Sequence, residues 1–122
     1  MNAGTKLHRQ VHPSWVQEGR VTSLAFKPTP KDGDCLSVYD GDQIDAEAAW
    51  QHYVETLSLE SIGVLAVTVS ECEALELTVT PDPDPFPEHV CIDFCGLTKG
   101  QIEKKAKILN SKAHSRGWQY SP

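Results

Sequence analysis

The sequence contains no apolar run long enough to cross a membrane. Its longest uninterrupted apolar stretch, at positions 62–67, has six residues, whereas a membrane-spanning helix needs roughly 20. The residues after Met1 also lack the apolar segment that a secretory signal carries. These absences predict a soluble protein, with the cytoplasm as its default location.

Basic residues are missing from the whole middle of the chain. Between Asp32 and Asp93 there is no Lys or Arg, while fifteen of the seventeen acidic residues lie there, and the net charge is −6. One interpretation is that the basic ends fold back and neutralise the acidic middle. The other is that the basic C-terminal element docks an acidic protein partner. The overall negative charge argues against nucleic acid, because phosphates would be repelled.

The motifs of several enzyme classes are also missing. The chain has no phosphate-binding loop, no dinucleotide fingerprint and none of the closely spaced C-x-x-C pairs of structural zinc sites. No cofactor and no metal are therefore predicted. The four cysteines are expected to be free, small apolar residues in a reducing cytosol; they are Cys35, Cys72, Cys91 and Cys95.

Residues 89–95 alternate between polar and apolar side chains, as a strand with one face on a core does. The polar face consists of His89, Cys91, Asp93 and Cys95. Three interpretations of this face stay open: a zinc site completed by Cys72 or Cys35, a Cys91 nucleophile with His89 as its base, and a hydrogen bond from His89 to a nearby acid.

The chain is predicted to form a single α+β domain over residues 1–122, with a mainly antiparallel sheet and two main helices packed on it. About five or six strands are expected from the alternation and turn residues, at 6–11, 21–26, 35–39, 63–69, 77–80 and 89–95. The run at 63–69 is apolar on both faces, which predicts a central strand. A short helical turn follows, with Ser70 and Glu73 as its capping box.

Two longer helices are predicted from their capping residues and apolar periodicity. One begins after Asp45 and runs to about residue 57, with His52 off its apolar stripe and facing solvent. The other begins at Thr98, which forms a capping box with Gln101, and stops at Gly117.

Arg9 lies in the first predicted strand on the same face as Leu7 and Val11. A guanidinium on the core side of a sheet must contact an anion or carbonyl oxygens, because an unpaired buried charge is too costly. We therefore expect Arg9 to form a salt bridge with an acid from the middle of the chain, or to clamp a carboxylate or phosphate of a ligand.

Arg9, the segment Val-Thr-Ser at 21–23 and the segment Glu-Cys-Glu at 71–73 occur in this order along the chain. The order resembles the Arg, Ser-Thr-Ser and Glu-x-Glu series of the arginine-type ADP-ribosyltransferases, with Val21 where that family has its first serine. The resemblance implies that the arginine and serine hold NAD and that Glu73 orients the ribose and the nucleophile.

Two classes of function follow. The first is a small binding or regulatory module acting through protein contacts, with the Pro/Asp-rich tract at 81–87, anchored by Phe86, and the basic last helix as its surfaces. The basic helix face consists of Lys104, Lys105, Lys107, Lys112 and Arg116. The alternative is an enzyme on a nucleotide-like or anionic substrate, with candidate catalytic residues Arg9, His12, Glu73, His89 and Asp93. An enzyme should bring several of these side chains into one pocket, whereas a module should leave them scattered.

Overall fold

A five-stranded antiparallel sheet forms the centre of the computed structural model, which describes residues 1–122. Seven strands occur: β1 (Lys6–Gln10), β2 (Val16–Gln17), β3 (Arg20–Val21), β4 (Cys35–Asp40), β5 (Val64–Thr68), β6 (Thr78–Pro81) and β7 (His89–Asp93). The main sheet has the order β5-β1-β4-β7-β6, and β2 and β3 form a separate hairpin. The predicted α+β class with an antiparallel sheet is confirmed.

Three helices accompany the sheet: α1 (Ala46–Gln51), which continues as a π-helical turn over His52–Thr56, α2 (Val69–Glu73) and α3 (Lys99–Arg116). Short 3₁₀ turns occur at Pro13–Trp15, Ser23–Phe26 and Pro30–Asp32. The Asp45 cap is confirmed, since its carboxylate accepts from Ala48 N at 2.8 Å. The Thr98–Gln101 capping box and the end of α3 before Gly117 are also confirmed. No helix has the length and hydropathy of a membrane span.

The main core lies on the sheet face covered by α3 and the 3₁₀ turn Ser23–Phe26. The helix contributes Ala106, Leu109 and Ala113, all fully buried. On the opposite face α1 contacts β1 and β5. Because side chains alternate along β5, its four residues from Val64 to Val67 serve both layers, and all four are buried.

The prediction of a central strand at 63–69 is wrong, because β5 is an edge strand. Its outer edge is nevertheless covered: Val64 N donates to Tyr120 O at 2.9 Å, and Gln119 N donates to Val64 O at 2.8 Å. Burial on both faces therefore arises from α1, α3 and the last residues of the chain, without a neighbouring strand on each side.

The predicted strand at 21–26 is also wrong, because only Val21 belongs to a strand and Ser23–Phe26 forms a 3₁₀ turn. In a strand Leu24 and Phe26 would share one face, but the structure buries the adjacent pair Ala25 and Phe26 and exposes Leu24. A helical turn places adjacent residues on one side, which explains the difference.

The capping box of α2 differs from the predicted Ser70–Glu73 pair. Thr68 Oγ1 accepts from Glu71 N at 3.2 Å, and Glu71 Oε1 accepts from Thr68 N at 2.8 Å. The helix therefore begins two positions earlier in the sequence, directly at the end of β5.

A disulfide joins Cys35 on β4 to Cys91 on β7, with a Cα–Cα distance of 5.5 Å. The expectation of four free cysteines is therefore wrong for this pair, whose side chains meet on one face of adjacent strands. Cys72 and Cys95 are free. Burial raises the pKa of the Cys72 thiol to about 12, which makes it an inert core residue.

Candidate functional site

A cleft opens in the middle of the sheet because β1 and β4 diverge. The two strands pair only at Leu7↔Asp40 and His8↔Tyr39, whereas β1 pairs with β5 along its whole length. Beyond His8 the gap widens into a cavity of about 470 Å³, closed by the loop after β3, the end of α1 and the Pro-rich tract. We call this cavity the β1–β4 cleft. A larger hollow of about 670 Å³ beside the β2–β3 hairpin contains none of the candidate residues.

Arg9 spans the gap between the two strands. Its Nε donates to Ala25 O at 2.7 Å and its Nη1 to Ser37 O at 3.0 Å, while its Cζ lies 5.0 Å from the centre of the Trp15 ring. It makes no ion pair, so carbonyl oxygens take the place of the expected carboxylate. Burial lowers the pKa of Arg9 to about 10, which leaves the guanidinium charged at neutral pH.

The cleft carries a local positive charge in a protein whose net charge is −6. Arg9, Lys27 and Lys31 line it, against Asp32 as the single lining carboxylate. Lys27 is paired with Glu103 at 3.2 Å, whereas Lys31 is exposed and has no salt-bridge partner. Arg9 and Lys31 are thus the cations available to an anionic ligand.

An aromatic cluster forms the wall opposite Arg9. Phe86 stacks on Tyr39 with ring centres 4.9 Å apart, and it contacts His52 at 4.7 Å and His89 at 5.2 Å. Burial raises the pKa of Tyr39, so its hydroxyl stays neutral. Phe86 is thus packed into the cleft wall and belongs to the protein's own structure.

The prediction that His52 faces solvent is wrong. Its Nδ1 lies 2.7 Å from the Tyr39 hydroxyl. The physical reason is the π-helical turn that starts at His52. A π-helical turn is wider than an α-helical one, so its side chains point in directions that α-helical spacing does not predict. Tyr53, in the same turn, also lines the cleft.

His89 is fixed by hydrogen bonds from both ring nitrogens. Its Nε2 lies 2.9 Å from Ser37 Oγ, and its Nδ1 lies 2.9 Å from Asp82 O and 3.5 Å from Asp82 Oδ2. The side chain is buried, with the residue only 7% exposed. The expected hydrogen bond to a nearby acid is therefore made to the backbone of that acid, with its carboxylate close by.

Gln10 lines the cleft with an unused amide. It is 4% exposed, and neither its Oε1 nor its Nε2 has a hydrogen-bond partner within the protein. A buried amide without partners costs about 1–3 kcal/mol. Among the residues that line the cleft, Gln10 therefore has both a donor and an acceptor without a partner in the protein.

The other candidate catalytic residues lie outside the cleft. His12 caps the 3₁₀ turn at Pro13–Trp15, accepting from Ser14 N at 3.0 Å. Asp93 accepts from Cys95 N at 2.8 Å at the far end of β7. Glu73 is exposed at the end of α2, so the Arg–Ser–Glu series of the ADP-ribosyltransferase resemblance does not meet in this cavity.

The basic residues of α3 differ in what they contact. Arg116 pairs with Glu71, its Nη2 lying 2.9 Å from Oε2, and Lys105 Nζ donates to Leu75 O. The remaining three are exposed without salt-bridge partners: Lys104, Lys107 and Lys112. One of the basic end segments thus does fold back on the acidic middle, through Arg116.

Two chemical roles considered for the polar face of β7 do not fit the structure. Cys91 is bonded to Cys35, so it offers no thiolate to His89. No group of three His, Cys, Asp or Glu side chains could hold a metal ion. Ser37, directly opposite Cys91 in the β4–β7 register, is the residue that His89 contacts.

Sequence reasoning missed Gln10, Lys31, Ser37 and Asp82. The only signal for Ser37 is its place between Cys35 and Tyr39 on one face of β4. Nothing in the local sequence indicates that the sheet splits beside it.

A scan against protein-family models, a search of curated proteins and a search of solved structures each return no match. The geometry of the cleft is therefore the basis on which a function is assigned to the chain.

Proposed function

We propose that the chain is an enzyme that binds a small, anionic, nucleotide-like substrate in the β1–β4 cleft. The observation that carries the proposal is the buried, unpartnered amide of Gln10, in a cleft that is also lined by the charged Arg9. A folded protein retains an unsatisfied buried polar group at a cost to its stability, and a ligand that completes the hydrogen bonds of the group would offset this cost.

The chemistry of the cleft matches the parts of a nucleotide. A carboxamide can form two hydrogen bonds with the edge of a base, as Gln does with adenine. Arg9 has three N–H groups that donate to no protein atom, and Lys31 adds a second cation for a phosphate. Trp15 and Tyr53 offer aromatic surface in the same cavity. His89 supplies an imidazole that can accept or donate a proton.

Titration with AMP, ATP and NAD, followed by calorimetry and thermal unfolding, tests the proposal. We expect at least one nucleotide to raise the melting temperature and adenosine to bind more weakly, because Arg9 and Lys31 contact the phosphate. Lys31→Ala should weaken nucleotide binding about tenfold, the effect of about 1.4 kcal/mol. Lys112→Ala, an exposed lysine on α3, is the matched control and should bind as the wild type does.

Gln10→Met separates a ligand-binding amide from a packing residue. Met has nearly the shape of Gln but no polar atoms, so the unliganded protein should be as stable as the wild type or more stable. Binding of the nucleotide should fall at the same time. If Gln10→Met lowers stability and leaves binding unchanged, or if no anionic ligand binds, the proposal is wrong.

A second candidate function is docking of an acidic protein partner on α3. It is supported by Lys104, Lys107 and Lys112, which are exposed and make no salt bridge. Changing all three to Glu should abolish capture of a partner from lysate, while nucleotide binding and thermal stability stay unchanged. Capture that survives the charge reversal would exclude this surface.

A further inference from the structure

Ser37, His89 and Asp82 form a hydrogen-bonded series at one wall of the cleft. The series runs from Ser37 Oγ to His89 Nε2 at 2.9 Å and from His89 Nδ1 to Asp82 O at 2.9 Å. The first two residues lie on the adjacent strands β4 and β7, and Asp82 directly follows β6. Sheet pairing therefore fixes the positions of the serine and histidine relative to each other.

The hydrogen bond to Asp82 determines which nitrogen of His89 carries the proton. A backbone carbonyl oxygen can only accept, so Nδ1 must be the donor of that bond. In the neutral ring Nε2 then has a lone pair, which accepts the Ser37 hydroxyl proton. The imidazole is also held by Phe86, whose ring lies edge-on at 5.2 Å.

The two partners differ in exposure in the way that a nucleophile and its base require. Ser37 is exposed and lines the cleft, whereas His89 is 7% exposed. A substrate can thus reach the serine oxygen, while the histidine is shielded from water. Arg9 contacts the backbone of the same residue, with Nη1 3.0 Å from Ser37 O, so a positive charge lies close to the serine and favours negative charge that develops during a reaction there.

From this geometry we infer that Ser37 is a nucleophile activated by His89, acting on a carboxylic ester whose acid or alcohol part is anionic. Ser37 Oγ bonds to the carbonyl carbon, its proton passes to His89 Nε2, and the ester C–O bond breaks as His89 protonates the leaving alcohol. Water then attacks the acyl-serine with His89 as base, which releases the acid and restores Ser37. The anionic part of this substrate rests on the proposed function of the cleft.

A fluorophosphonate probe tests the nucleophile directly, because its phosphorus bonds to an activated serine oxygen with loss of fluoride. We expect Ser37 to be labelled, as located by peptide mass spectrometry, and Ser37→Ala and His89→Gln to abolish the label. Hydrolysis of 4-nitrophenyl acetate should be lost in the same two variants. Circular dichroism and thermal unfolding of His89→Gln confirm that the variant is folded.

A second serine–histidine pair in the chain shows whether closeness to a histidine is by itself enough to activate a serine. Ser14 Oγ lies 2.7 Å from His12 Nδ1, but this nitrogen also accepts from Ser14 N as a helix cap. Ser37 should therefore react about 100-fold faster than Ser14, the contribution typical of general-base catalysis. Equal reaction of the two serines, no reaction at Ser37, or full labelling in folded His89→Gln overturns the inference.

The outcomes also separate this inference from the proposed function. Ser37→Ala should still bind the nucleotide found by calorimetry, because Ser37 is not one of its binding groups. If a nucleotide binds but Ser37 is not labelled, the assignment of Ser37 as a nucleophile is wrong and the proposed function stands. If Ser37 is labelled but no anion binds, the proposed substrate class is wrong and the assignment of Ser37 as a nucleophile stands.

Discussion

Replacing Phe26 with alanine is expected to lower the free energy of unfolding by about 3–5 kcal/mol. Phe26 is fully buried, in the 3₁₀ turn on which α3 packs. Removing the ring takes apolar contacts from the main core and leaves a cavity that the surrounding helix and sheet cannot close. Against a total stability of about 5–15 kcal/mol for a domain, this is a large fraction, and urea denaturation at pH 7 measures it.

Leu24→Ala is the matched control, because Leu24 belongs to the same turn but is 43% exposed. Leu24→Ala should lower the free energy of unfolding by no more than about 0.5–1 kcal/mol. Phe26→Ala should also weaken nucleotide binding, since the carbonyl of the adjacent Ala25 holds Arg9. Equal losses of stability in the two variants would contradict the packing described for this turn.

Arg116→Ala is expected to lower the free energy of unfolding by about 3 kcal/mol. The guanidinium donates to both carboxylate oxygens of Glu71, at 3.0 and 2.9 Å, and to Ala66 O at 2.8 Å. The side chains are only 23% and 17% exposed, so the variant leaves a partly buried carboxylate and a strand carbonyl without their partner. Lys112→Ala, on the same helix, should change stability by less than about 0.5 kcal/mol.

The contribution of Glu71 should depend on pH. Burial by itself raises the pKa of Glu71, but the hydrogen bonds from Arg116 and Thr68 outweigh it and hold the pKa below its ordinary value. A lowered folded-state pKa means that the ionised form stabilises the fold above the unfolded-state pKa of about 4.3. That stabilisation is lost as the pH falls through the lower folded-state value.

Comparison of the wild type with Glu71→Gln measures this dependence. Unfolding free energies determined between about pH 3 and pH 7 should differ most above about pH 5 and converge at the acid end. A difference that is independent of pH would show that the carboxylate charge adds nothing to this contact.

The elements that the sequence predicted well are those whose signals are local. Strand β7 follows its alternation, and α3 follows the capping box at Thr98 and the stop at Gly117. The edge position of β5 was not predicted. An apolar sequence indicates that a strand is buried, but it does not indicate whether helices or other strands bury it. The residues that cover its edge, Gln119 and Tyr120, have no sequence feature that ties them to Val64.

The cleft was only partly predictable for a similar reason. Arg9 was identified because it lies on the core face of a predicted strand, and His89 because it belongs to the polar face of the alternating segment 89–95. Ser37 and Gln10 have no sequence feature that distinguishes them from other polar residues in strands. They line a cavity only because β1 and β4 separate after two residue pairs. That separation is a tertiary property, and Arg9 bridges it through hydrogen bonds to the carbonyls of Ala25 and Ser37, residues far from it in sequence.

The two outer strands of the sheet are closed in different ways. On β5 the polar backbone groups of Val64 are taken by residues 119 and 120, and β6 ends in Pro81, which has no N–H to offer. An open edge strand is a template on which another copy of a chain can add a strand and aggregate. The residues that pair with β5 lie far from it in the sequence. In a chain whose residues 119 and 120 are not bound to Val64, the backbone groups of this edge are free to pair with another chain. Protection of β5 against aggregation therefore depends on a long-range contact, between Val64 and residues 119 and 120.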